Sequence, residues 1–190
     1  MAEFELVIIV LSFIVGFGVN EILSSFVTIA RHPDRERVDW IAVAWAMAIL
    51  VHQFQFWFGT LYVEQALGLS VSVFWLFILL AVLLYLAGGM ILPPRRGGSQ
   101  SSEGDDFDRI GSRALIPLTS YTAIAVIVNG ATGLGWTQPP VTLNVVLSLL
   151  SVTALMTGRL PVRAATTITY LAVLFWGILF VWSRPGSILA

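Results

Sequence analysis

Residues 71–92 read VSVFWLFILLAVLLYLAGGMIL, 22 positions without one charged side chain, closed by Pro93 and Pro94. As a helix the run rises about 33 Å at ~1.5 Å per residue, enough to cross a ~30 Å hydrocarbon core. Nor is it isolated. Of the 190 residues, 57% are hydrophobic and 11% charged, and the mean hydropathy is +0.89. A soluble domain of this length has to present its exterior to water and has nowhere to hide that much apolar surface. The fold class that follows is all-α, a polytopic integral membrane protein.

Outward from this run the same pattern repeats. Apolar stretches at about 4–30 and 40–67 precede it, and others at about 114–132, 141–157 and 164–182 follow. With 71–92 they make six expected spans in one transmembrane domain covering 1–190. The separators carry the breakers. RHPDRERVD, with Pro33, ends the first span; GLGWTQPP and GRLPVR make later turns. The polar loop 93–113 contains RRGGSQSSEGDDFD, which has almost nothing to bury. The N-terminal MAEFELVIIVLSFIVGF lacks a positive n-region and a small-residue cleavage site, and carries Glu3 and Glu5 instead. The first span is therefore expected to stay in the mature protein.

The arginines test the count. Arg31, Arg35 and Arg37 follow span one; Arg95, Arg96, Arg109 and Arg113 follow span three; Arg159 and Arg163 follow span five. The N-terminal segment and the alternate connections hold none, so Arg184 alone falls on the other face. The positive-inside rule makes the arginine-rich side cytoplasmic and leaves both termini on the non-cytoplasmic side. Trp40, Trp136 and Trp182 stand at expected span ends, where an interfacial aromatic belt belongs.

Composition also removes function classes. A net charge of −1 with no basic face excludes nucleic acid as a partner. The absence of cysteine excludes disulfides, thiolate metal sites and thiol catalysis. All ten basic residues are arginine and none is lysine, a bias of composition rather than of function. GATGLG follows an apolar helix and leads to an outer turn, so it is no dinucleotide fingerprint. Neither histidine has a serine partner in the sequence pattern, and no catalytic constellation emerges.

What remains is polar chemistry inside the spans. Glu21 lies ten residues before Arg31 and His52 twelve after Trp40, so antiparallel neighbours bring them to similar depth. An ionised carboxylate there costs at least ~2.5 kcal/mol on insertion scales and wants a partner. Gly18, Glu21, Ser25 and Thr28 share one stripe; Ala44, Ala48, His52, Gln55 and Gly59 share another. Small and polar residues mark helix contacts in lipid. The expected intramembrane network is Glu21, His52, Gln53, Gln55, Asn20 and Ser25. It reads either as glue that fixes hairpin register, or as a ligand site or proton relay. Asn129 with Asn144, and Thr166, Thr167, Thr169 and Tyr170, read as structural hydrogen bonding.

Phe54, Phe56, Trp57, Phe74 and Trp75 gather at the outer level of spans two and three. They read as lipid-facing bulk or as a pocket for a lipid, quinone or pigment, with a glutamine as polar handle. Haem is disfavoured, since His32 lies in a loop and leaves His52 as a single intramembrane ligand. No metal is expected either, because transition-metal sites need three or four convergent ligands.

Three stretches, GFGVNEILSSF at 16–26, WAMAILVHQFQFWF at 45–58 and LLYLAGGMILP at 83–93, resemble a widespread, functionally uncharacterised family of small bacterial membrane proteins. The resemblance covers roughly residues 1–115. It implies a compact multi-span bundle in a bacterial inner membrane and carries no activity, substrate or catalytic residue. The sequence thus points to a non-enzymatic membrane component. It would be a binding or structural subunit that meets lipids and another membrane protein or itself, and that encloses a lipophilic ligand. The alternatives are a small oligomeric channel or transporter that passes protons or ions by Glu21 and His52, and an intramembrane enzyme acting on lipid.

Overall fold

The computed structural model describes residues 2–31, 39–67, 70–92, 111–131 and 137–182. Among them every regular element is a helix: α1 (Ala2–Arg31), α2 (Trp40–Leu67), α3 (Val71–Ile91), α4 (Ser112–Asn129), α5 (Pro139–Met156) and α6 (Leu160–Gly177). A π-helical turn, Ile178–Trp182, continues α6. The turn at 32–38, most of the polar loop (93–110), Trp136 and the side chain of Trp182 lie outside the described residues. Five helices are long and apolar enough to cross a membrane. α4 is not among them: its 18 residues include Arg113, Pro117 and several hydroxyl side chains.

Local chemistry sets the helix ends. Asp39 caps α2, its Oδ1 accepting from the Ile41 amide at 2.9 Å. Ser70 caps α3, its hydroxyl accepting from the Val73 amide at 3.3 Å. α3 stops where Leu92 turns extended (φ −109°, ψ 147°), as the residue before a proline must. Four starts lie earlier than the hydropathy implies, those of α1, α4, α5 and α6, and the last two stand at prolines. α5 begins at Pro139 rather than near 141, and α6 at Leu160 rather than near 164. The reason is common to both: proline in the first helical turn gives up an amide that would go unpaired anyway, and its fixed φ suits the helix. Breakers in the middle of a helix are therefore starters at its head.

That shift moves Arg163. It sits not in a turn but in the first turn of α6, 6% exposed, with Nη2 donating to the Thr157 carbonyl at 3.0 Å. The guanidinium thereby satisfies a carbonyl just past the end of α5, where cations are favoured.

Residue contacts divide the chain into two compact units, Met1–Leu118 and Thr119–Ala190, and the boundary falls inside α4 one residue after the buried Pro117. Nothing in the hydropathy pattern over 1–190 marks that boundary. In the first unit α3 is central. α1 packs chiefly on α3, α2 also packs on α3, and α1 meets α2 less extensively. Val7, Leu11, Val15, Gly18 and Ile22 form the buried stripe of α1. Phe77, Leu80, Ala81, Leu84, Ala87, Gly88 and Ile91 form that of α3. Both stripes follow the three-then-four spacing of a helix contact. In the second unit α5 and α6 pack as an antiparallel pair across the short turn 157–159. A Cβ on Gly177 would run into the Leu143 side chain, so the pair closes to a distance only glycine allows.

Candidate functional site

The two neighbours His52 and Gln53 stand about 100° apart around α2, because a helix turns once in ~3.6 residues. Both are buried, and they do different things. The His52 ring is hydrogen-bonded to the side chain of Gln55, three residues on along the same helix. Gln53 crosses instead to α3, where its Nε2 donates to the Leu84 carbonyl at 3.5 Å.

Glycines make room for that crossing. A Cβ on Gly18 of α1 would run into the Gln53 amide nitrogen and come within 3.3 Å of its Cδ. A Cβ on Gly88 of α3 would stand 3.4 Å from the same nitrogen and 3.1 Å from Ile22 Cδ1. By contrast, Gly16, Gly59 and Gly89 have nothing within 4 Å of an added Cβ. Three helices therefore meet at one carboxamide, between two glycines, and the apolar Ile22 and Leu84 pack beside it. Gln53 is completely buried, yet its Oε1 has no hydrogen-bond partner. A crossing hydrogen bond between membrane helices contributes about 0.6 kcal/mol on average. An unsatisfied buried acceptor costs about 1–3 kcal/mol. By itself, then, the Gln53 clasp is a net expense to the fold.

The other residues of the expected network distribute unevenly. Glu21 is half-buried on α1, and its backbone carbonyl accepts from Ser25 Oγ at 2.9 Å and Ser24 Oγ at 3.2 Å. Asn20 is exposed. His52 is hydrogen-bonded to Gln55. α1 presents its buried stripe chiefly to α3, so the first two helices are not each other's main partners. The structure thus brings His52 to Gln55 and Gln53 to α3, with Glu21 at the flank.

The aromatic residues separate as well. Phe56 turns inward, edge-on to Phe77 with ring centroids 6.4 Å apart. Phe54 and Trp75 turn outward, 54% and 63% exposed. Trp57 and Phe74 are half-buried, and Phe74 meets its neighbour Trp75 at 5.6 Å. One inward ring and two outward ones do not share a face.

In the second unit a polar seam runs through α5. Thr119 Oγ1 donates to Ser151 Oγ at 3.0 Å, and Ser151 to the Ser148 carbonyl at 2.9 Å. Ser148 donates to the Asn144 carbonyl at 2.8 Å, and Asn144 Nδ2 to the Pro140 carbonyl at 3.1 Å. The Asn144 amide thus bonds its own helix. Thr166, Thr167 and Thr169 each return to the carbonyl four residues back, at 2.8–2.9 Å. Of this seam only Asn144 was expected; the helical 144–148–151 spacing is the signal that could have found Ser148 and Ser151, and nothing in the sequence marks Thr119 as their partner. Among the described residues no cluster of three His, Asp or Glu could hold a metal ion, and His32 lies outside them.

No family model matches the chain, and neither a curated protein nor a solved structure is significantly similar to it.

Proposed function

We propose that the chain is a non-enzymatic integral membrane component, a binding or structural subunit that associates with another membrane protein or with a second copy of itself. One observation carries the reading: polar side chains on both units, among them Ser25, Ser151, Asn144 and Thr167, spend their hydrogen bonds on helix carbonyls and on one another, as structural groups do, and Gln53 Oε1 stands apart from them. Large apolar side chains meanwhile cover the outward faces, among them Leu6, Phe13, Phe17, Phe58, Leu149, Ile168 and Phe180. That outward cover suits lipid and helix partners, not water.

On this reading all six helices span the bilayer, α4 included, with both termini on the non-cytoplasmic face and the arginine-bearing connections in the cytoplasm. The resemblance to small bacterial membrane proteins favours a bacterial inner membrane. A lipid, quinone or pigment enclosed beside α2 and α3 belongs to the same proposal, and an absorption spectrum of the purified chain reveals any coloured ligand. Native mass spectrometry of gently solubilised membranes tests the central statement. The chain is expected to travel with a protein partner or a second copy; a lone monomer overturns the reading.

Transport is the second reading, and the half-buried position of Glu21 on α1 is what favours it. In proteoliposomes, wild type would then carry a proton or ion flux that Glu21→Gln abolishes. No flux from wild type removes it.

A further inference from the structure

Gln53 Oε1 is a completely buried acceptor without a donor, on the carboxamide of α2 that Gly18 of α1 and Gly88 of α3 allow to come close to their backbones. Helix backbone cannot supply the missing donor, because the amides of α1 and α3 at that level are engaged in their own ladders. The carboxamide nitrogen is directed to the Leu84 carbonyl, which fixes the oxygen on the other branch of the group. The groups that share the Gly18 and Gly88 positions with the carboxamide, Ile22 and the Tyr85 backbone, and the Leu84 carbonyl that its nitrogen meets, carry no charge. An ionic ligand would be stranded among them, whereas a neutral O–H is not.

We propose that the Gly18–Gln53–Gly88 junction is a binding site for one neutral hydroxyl donor, held by Gln53 Oε1. Water and the hydroxyl of a membrane amphiphile share this chemistry. Either one satisfies the acceptor and turns the clasp from an expense into a net link between three helices. The site stands whether or not the chain is a subunit of a larger assembly.

The test is proton-detected solid-state NMR of the full chain labelled at glutamine, with the Gln53 carboxamide assigned by its disappearance in Gln53→Leu. In phosphatidylcholine vesicles, which offer no lipid hydroxyl, magnetisation transfer from water to the Gln53 carboxamide protons is expected if water is the ligand. Transfer that arises only after phosphatidylglycerol is added identifies an amphiphile hydroxyl. In both cases the Gln53 side-chain carbonyl shift is expected in the hydrogen-bonded range. Gly18→Ala, whose Cβ displaces the amide, is expected to abolish the transfer. A resolved Gln53 signal with no transfer in either vesicle and a carbonyl shift of a free amide overturns the proposal. That readout is taken on wild type, and Gln53→Leu serves only to assign the signal.

Discussion

The two units solve the problem of polar groups in an apolar chain in opposite ways. The first, residues 1–118, buries a carboxamide and an imidazole, Gln53 and His52, side groups too large to be satisfied by their own helix backbone alone. The second, residues 119–190, buries, beside the Arg163 guanidinium, hydroxyls and one amide that fold back onto carbonyls three or four residues away. Short polar side chains bring their partner with them and ask nothing of the neighbouring helix. Gln53, by contrast, is met from α3, and so it specifies which helix lies alongside and leaves a group over where the match is incomplete. The first unit is therefore where a substitution should reach across helices, and the second where it should stay local.

Substitutions can break that contrast, beginning with bulk at the three-helix junction. Gly18→Val adds two methyl groups where even a Cβ meets the Gln53 amide, and a loss of about 3 kcal/mol is expected for such overpacking. Reversible unfolding in mixed detergent–lipid micelles measures it. Gly16→Ala, two residues away and open, is expected to be neutral or stabilising by up to ~1 kcal/mol, since glycine is a poor helix former. If both glycines respond alike, the junction is not a close contact.

A double-mutant cycle sharpens the comparison further. Gly18→Ala and Gln53→Ala are expected to couple by about 1 kcal/mol, because removing the carboxamide removes the clash. Additive effects would mean that Gln53 lies elsewhere. In the second unit, Ser151→Ala loses the link from Thr119 and is expected to cost about 0.6 kcal/mol, the average for a crossing bond. Smallest of all, Thr169→Val removes only an exposed back-bond within α6, and a change under ~0.5 kcal/mol is expected in the same assay. A Thr169 effect larger than that of Ser151 would reverse the ordering on which the contrast rests.

Helix positions were largely legible in the sequence. α2 occupies 40–67 as the apolar run implies, and α3 ends one residue short of the expected boundary, where Leu92 yields to Pro93. The misses at α5 and α6 have one cause, the double role of proline as breaker within a helix and starter at its head. The site was legible only in part. His52, Gln53 and Gln55 stood out because polar side chains are rare in such runs, but which of them would cross to another helix was not written in their spacing.

Composition and local chemistry alone determined that this chain is helical, roughly where its helices run, and that they are apolar enough for a membrane protein. Tertiary structure decided that α3 is the main partner of both α1 and α2, that Gln53 reaches it, and that Gly18 and Gly88 stand in close contacts while Gly16 and Gly89 stand open. The division has a physical origin. In water a buried face announces itself by being apolar, but a helix in lipid is apolar all round, so the face that packs against protein is distinguished by shape and a few polar atoms that only the assembled neighbours reveal.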